Sequence, residues 1–350
     1  MRRVAFFCVI LAFAIPSLAQ DRPQPFQEKI DVDIVLLDVI VTDSKGNQIL
    51  GLSKDDFIVK ENGVAQPIES ADYYTNRRLL DSREENAPFK VENVRSERYF
   101  IFFFDKPTDA GVLFDQLSLA REAVRSFIRN DMMEGDRVAI AGHDTRLKVY
   151  SDFTTDKAQL EKALNDSARF GRGIDRPSSD NGILQNISRH ELVNQTGRVY
   201  EALHALADAT RPIRARKNLV LFSPGILEQG EMVSNGVITS RSSYLDPMLQ
   251  ALNAANVSVY AVQLQRDVDT TPVFHQRLEE MASVTGGQYF RFNTSFIRPV
   301  ERIENVNNGY YLLSYRTRHG KGEKGFQKVT VSVRNPEFRV TARSGYQYGG

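Results

Sequence analysis

Residues 99–111 read YFIFFFDKPTDAG, and the first seven of them decide the fold. An aromatic and β-branched run that is apolar at every position has no solvent side. It therefore reads as a central strand covered on both faces. The run ends abruptly on Asp105, with Pro107, Thr108 and Asp109 close behind. A buried strand thus delivers a carboxylate to its own C-terminal edge, where open parallel sheets gather their ligand-binding loops.

Outward from this strand the pattern alternates. Leu113, Leu117, Ala120, Val124, Phe127 and Ile128 recur at helical spacing. "DRVAIAGH" reads as a second strand and "LKVYSDF" as a short one, antiparallel at an edge. "TTDKAQLEKAL" is a helix with Thr154 or Thr155 ahead of its first turn. A long polar stretch over 165–191 is expected to be a loop. Helix then resumes over Leu192 to Ala209, followed by strand "NLVLFS", helix "SSYLDPMLQALNAA", strand "VSVYAVQL", helix "VFHQRLEEMASVTG" and strand "GQYFRF". Strands and helices in alternation predict a doubly wound, mostly parallel sheet.

Both flanks have a different period. Ahead of the α/β region, "DVDIVLLDVIVTD" is a strand and "DDFIVKENGVAQPI" a hairpin about Asn62-Gly63. Behind it, a short helix near Pro299 to Val306 precedes three alternating strands, "NGYYLLSYRT", "GFQKVTVSV" and "FRVTARSGY". Each flank is small for an independent β unit, so the two are expected to pair into one sandwich.

The 350 residues are 41% apolar and 25% charged, the proportions of an ordinary globular chain. A net charge of +1 gives no electrostatic basis for a nucleic-acid or membrane partner. Arg2 and Arg3, the apolar run Val4 to Ile15 and Ser17-Leu18-Ala19 form a secretory signal peptide, with cleavage expected after Ala19. Cleavage takes two of the 45 basic residues and turns +1 into −1. It also removes Cys8, the single cysteine, so the mature chain is expected to have no disulfide and no thiol chemistry. No later apolar stretch is long enough to span a bilayer.

The layout and its phrases resemble the bacterial secreted VWFA-related (von Willebrand factor type A-like) family. "LLDVIVTDSKGNQILGLSKDDFIVKENGVAQPI", "FFFD", "GYYLLSYR" and "FRVTARSGY" carry the resemblance, which runs over nearly the whole mature chain. It implies an α/β, Rossmann-like type A domain with a mostly parallel six-stranded sheet, flanked by N- and C-terminal β segments. The resulting division is 1–19 signal peptide, 20–76 N-terminal β module, 77–97 linker, 98–296 type A-like domain and 297–350 C-terminal β module.

Type A domains often hold a metal ion on the pattern Asp-x-Ser-x-Ser, a threonine from a later loop and an aspartate after the fourth strand. A hard ion such as Mg²⁺ requires about six oxygens in octahedral array. Asp105 stands at the leading aspartate. Pro107, at the first serine, has no side-chain oxygen, and Asp109 stands at the second serine. Gly197 falls at the threonine position with Thr196 one residue away, and Pro224 falls where the later aspartate belongs. Asp105, Asp109 and Thr196 are thus the candidate ligands of a degenerate site. Capping of the following turn is the other role open to Asp105.

Other motifs are incomplete. "LFSPG" half-matches a nucleophile elbow at Ser223, with Asp267 or Asp269 and His275 following in hydrolase order, but its first glycine is replaced by Leu221. "RHELVN" lacks the second histidine of a zinc-protease helix. No glycine-rich phosphate loop follows the first strand. The expected protein is therefore exported and non-enzymatic, an adhesion or scaffold-like binder of another protein. It is expected to use no cofactor beyond a possible Mg²⁺ and to face its partner with Asp105 to Asp109, the 165–191 stretch, Thr196 and Ser223 to Gly225. A divergent hydrolase using Ser223 and a purely structural envelope protein are the alternatives.

Overall fold

The computed structural model describes residues 30–75, 91–92, 97–106, 113–169, 182–227, 231–235, 237–264, 273–291, 293, 295–320 and 323–349. The signal segment, Pro107, Asp109, Asp267 and Asp269 lie outside the described residues.

A six-stranded sheet forms the centre of the α/β part. From one edge its strands are Gln288–Phe290, Val257–Gln263, Lys217–Ser223, Tyr99–Asp105, Arg137–His143 and Leu147–Thr154. All pairings are parallel except the last, where Leu147–Thr154 runs antiparallel at the edge. The opening strand, Tyr99–Asp105, is central and buried at every position, as its unbroken apolar run requires. Phe100, Phe102 and Phe104 face the helices Phe114–Ser126, Lys157–Asp166 and Ile297–Val306. Ile101 and Phe103 face Val199–Thr210, Leu245–Ala254 and Val273–Val284. The six helical-face residues from Leu113 to Ile128 are all buried. Phe127, in a π-helical turn after the first helix, packs its ring 5.1 Å and 5.3 Å from those of Phe100 and Phe102. Each such buried phenylalanine contributes about 1.5–3 kcal/mol.

The flanking β segments interleave. Ile30–Thr42 pairs with Gly309–Gly320 along ten residues, and Gly309–Gly320 pairs in turn with Ile68–Thr75. A second sheet places Phe57–Glu61 between Val64–Gln66 and Gly325–Val333. Val35, Leu37, Val39, Tyr311 and Leu313 from one sheet meet Phe57, Val59, Val329 and Tyr346 from the other, so the expected sandwich is present. Asn62 and Gly63, both at positive φ, make its two-residue hairpin turn.

Two local expectations are corrected. "FRVTARSGY" is not one strand: Arg339–Thr341 joins the first sheet and Gly345–Tyr348 the second, with Ala342-Arg343-Ser344 crossing between them. The stretch 165–191 is not wholly loop either. It contains a 3-10 turn at Leu184–Asn186 and the first half of a helix, Arg189–Asn194, N-capped by the Ser188 hydroxyl. Buried Leu184, Ile187 and Leu192 pull this part onto the core, and Asp152 Oδ2 accepts the Leu184 N–H at 2.8 Å.

The sandwich is docked on the α/β part by polar contacts. Asn256 Nδ2 donates to Asp38 Oδ2 at 2.8 Å, and Arg343 donates to the carbonyls of Leu36 and Asn253. Gln48 Nε2 donates to the carbonyls of Val306 and Gly309.

Candidate functional site at the carboxyl rim

The strand order reverses between Tyr99–Asp105 and Lys217–Ser223: chain-earlier strands lie on one side and chain-later strands on the other. This is the topological switch point of the sheet, where the crevice of an open α/β fold opens. Asp105 and Ser223 end the two strands that flank it. Registers extend the position sideways, because Asp105 is opposite His143 and Ser223 is opposite Gln263. Strand alternation puts all four side chains on the face shared by Ile101 and Phe103. A polar row, His143–Asp105–Ser223–Gln263, therefore crosses four adjacent strand ends, and every member is buried.

Each member is held by named partners. The Ser223 hydroxyl donates to Asp105 Oδ2 at 2.6 Å and accepts the Gly225 N–H at 3.2 Å. Gly225, at φ +118°, lets the turn fold back far enough for that contact. His143 Nε2 lies 3.2 Å from the Thr196 carbonyl, which can only accept, so that nitrogen carries the proton. Burial pushes the His143 pKa down against the opposing pull of Thr196 and Asp144, which favours the neutral ring. Gln263 Nε2 is 3.3 Å from His275 Nε2, and its Oε1 accepts from the Tyr289 hydroxyl at 3.0 Å.

Lys106, next after Asp105, points to the opposite face. Its ammonium donates to the Tyr150 hydroxyl at 2.8 Å and to the carbonyls of Ser167 and Arg169. Burial lowers its pKa to about 8, partly offset by Asp144. The lysine fastens the end of the Lys157–Asp166 helix beneath the rim.

Of the expected ligands, Asp105 and Thr196 both lie at the rim: Asp105 is in register with His143, whose Nε2 is 3.2 Å from the Thr196 carbonyl. The Thr196 hydroxyl is fully buried, donates to the Leu192 carbonyl at 2.6 Å and accepts the Leu147 N–H at 3.0 Å. Among the described residues no group of three Asp, Glu, His or Cys side chains is gathered as a metal site would need. Asp105 and Thr196 therefore do not by themselves make a ligand set for Mg²⁺. The hydrolase arrangement is not built from Ser223 and His275. The Ser223 hydroxyl donates to a carboxylate, and His275 faces Gln263.

Sequence reasoning missed His143 and Gln263, whose only signal was their place at strand ends, and Tyr289 within the edge strand. It also missed a surface element beside the row. A hairpin of Val233–Ser234 and Val237–Ile238 exposes Met232, Val233 and Val237. Its base is fixed by Glu231, which accepts from Arg277 Nε at 2.8 Å, and the Tyr200 hydroxyl ties the same glutamate to the Val199–Thr210 helix. Exposed Leu227 precedes the hairpin, and the Arg198 guanidinium lies 4.5 Å over the ring of half-exposed Tyr244.

No family model and no curated protein matches this sequence. Solved structures do resemble it. A von Willebrand factor type A protein from Catenulispora acidiphila is 10% identical, over 72% of this chain and 66% of that one, with a TM-score of 0.43. The conserved hypothetical protein BatB from Bacteroides thetaiotaomicron is 11% identical, over 60% of this chain and 97% of that one, with a TM-score of 0.40. The ArnB paralog VWA2 from Sulfolobus acidocaldarius is 10% identical, over 90% and 75% respectively, with a TM-score of 0.38. The chain has a doubly wound, Rossmann-like α/β fold with a mostly parallel six-stranded sheet. Its own sheet carries that conclusion: six strands with one antiparallel edge, helices on both faces and β structure on either flank. No helix among the described residues is long and apolar enough to cross a membrane.

Proposed function

We propose that this is an exported, non-enzymatic protein-interaction protein, adhesion- or scaffold-like, that recognises its partner with the carboxyl rim of its type A-like domain. One observation carries the reading. At the switch point the polar groups are turned on one another, Ser223 onto Asp105 and His143 onto Thr196, while the adjoining hairpin presents Met232, Val233 and Val237 to solvent. A buried row whose members are each hydrogen-bonded suits a rigid platform, and exposed apolar side chains beside it suit protein contact. Envelope capture with wild type, with Met232→Lys/Val237→Lys and with a control pair on the far face tests this. Loss of the same partner in the hairpin variant alone is expected. An unchanged partner list would exclude the rim.

The metal site is proposed to be degenerate, with Asp105, Asp109 and Thr196 the remnants of a ligand set for Mg²⁺. Support comes from the Asp105 carboxylate, which already accepts the Ser223 hydroxyl, and from the inward-turned Thr196 hydroxyl. Calorimetric titration with Mg²⁺, Mn²⁺ and Ca²⁺ is expected to show no saturable binding. Tight binding that Asp105→Ala abolishes would overturn the proposal.

A further inference from the structure

Between the sandwich and the α/β part lies a cleft of ≈ 270 Å³, well away from the carboxyl rim. One wall is the end of the first sheet, where Thr42 pairs with Arg339 and the strand continues to Thr341. The other wall is the Gly287-Gln288 strand start and Arg302 on the helix Ile297–Val306. We infer that this cleft is a binding site for a small organic oxyanion, a ligand bearing carboxylate or phosphate groups, that bridges the two parts of the molecule.

Hydrogen-bond donors converge on the cleft. Arg302 and Arg339 are both exposed, and neither makes an ion pair or side-chain hydrogen bond among the described residues. Most other arginines of the described structure are committed: Arg98 to Asp136 and Glu304, Arg129 to Glu161, Arg241 to Asp246 and Glu280, Arg277 to Glu231. Two uncommitted guanidinium groups facing one cavity are therefore a departure from how this chain handles arginine. Each offers a planar fork of N–H groups that matches carboxylate or phosphate oxygens in pairs. The Gln288 amide and the hydroxyls of Thr42 and Thr341 line the same space and add neutral donors.

The cleft also contains a carboxylate, Asp43, and its state matters. Its Oδ1 accepts the N–H groups of Lys45 and Asn47, each at 2.8 Å, and its Oδ2 accepts from Asn47 Nδ2 at 2.8 Å. Those bonds, the Asn47 side chain foremost, hold Asp43 below the usual carboxylate range. Asp43 is thus spent on its own turn, and it pairs with neither arginine. The same turn leaves room for one of them. Gly46, at φ +90°, lies under Arg302, and a Cβ there would come within 2.9 Å of Nη2. With two cations against one internally bonded anion, the cleft favours a ligand of negative charge, and its volume suits a molecule the size of a small di- or tricarboxylate or a sugar phosphate.

The test uses the full mature chain, with citrate and glucose 6-phosphate as separate probes in calorimetric titration at physiological ionic strength. One saturable site for at least one probe is expected, and which probe binds distinguishes carboxylate from phosphate. Arg302→Gln and Arg339→Gln should each weaken binding at least tenfold, with melting temperature in the absence of ligand unchanged because both side chains are exposed. Arg298→Gln, an exposed arginine on the same helix outside the cleft, should bind as wild type does. Absence of saturable binding by either probe would overturn the inference. So would equal weakening by Arg298→Gln, which would mean diffuse charge attraction.

Discussion

Asp105 and Glu61 are both buried carboxylates, and they are accommodated by different means. Glu61 lies in the sandwich and accepts from Tyr315, Thr317, Gln327 and Tyr346, all within 3.0 Å. Burial raises its pKa, yet the four donors outweigh burial and hold it below the ordinary glutamate range. Asp105 has Ser223 as its closest side-chain donor on the row. Ser223→Ala should therefore cost about 1–3 kcal/mol, the penalty of leaving a buried acceptor short of a donor. Urea unfolding measures it, and a cost near zero would mean that the pair does not hold the rim. The sequence made Asp105 legible, because an apolar run that stops on an acid marks a strand end. It could not show that Ser223, His143 and Gln263 stand beside it. That alignment depends on inter-strand register, which no local pattern encodes, least of all between Asp105 and Ser223, 118 residues apart.

At the scale of elements, period alone identified the central strands, the antiparallel edge strand and the first helix. It failed where a tertiary contact breaks a run. "FRVTARSGY" keeps a strand-like composition throughout, yet its middle leaves one sheet for the other. There Ser344 N–H donates to the Val284 carbonyl, and the Ala342-Arg343 backbone passes over Gly286. Gly286 has φ +70°, and a Cβ on it would lie 2.5 Å from the Ala342 carbonyl carbon. Gly286→Ala should thus cost about 2–4 kcal/mol, from left-handed backbone strain and overpacking against main chain together. A melting temperature equal to wild type would show that the crossing segment can move aside. The Arg189–Asn194 helix was also readable in principle, since Ser188 and Glu191 have capping-box spacing inside a stretch otherwise read as loop.

At the scale of the whole molecule, the junction of the two parts contains a buried lysine. Lys217 starts its strand, donates to the carbonyls of Ile213 and Ala215, and is pushed down to about 7 by burial, with Asp38 opposing and Arg343 reinforcing the shift. Above that value the folded chain has released a proton that the unfolded chain still holds, so stability rises with pH from about 7 towards the ordinary lysine range. Lys217→Met should remove the part of the rise that begins near 7 and leave the part due to Lys106, which begins near 8. Denaturation midpoints at successive pH values measure both slopes, and an unaltered profile in the variant would exclude Lys217 as its source. The pairing of Ile30–Thr42 with Gly309–Gly320 has a consequence in time as well as in space. The α/β part is inserted within the sandwich, so a chain emerging from its N-terminus presents a strand whose partner has not yet been made. Until Gly309–Gly320 has been made that strand has an open edge, available to other chains. Loss of the C-terminal strands would return the front strand to the same exposed state. The two ends are thus mutually dependent for folding, whatever the stability of the α/β part between them.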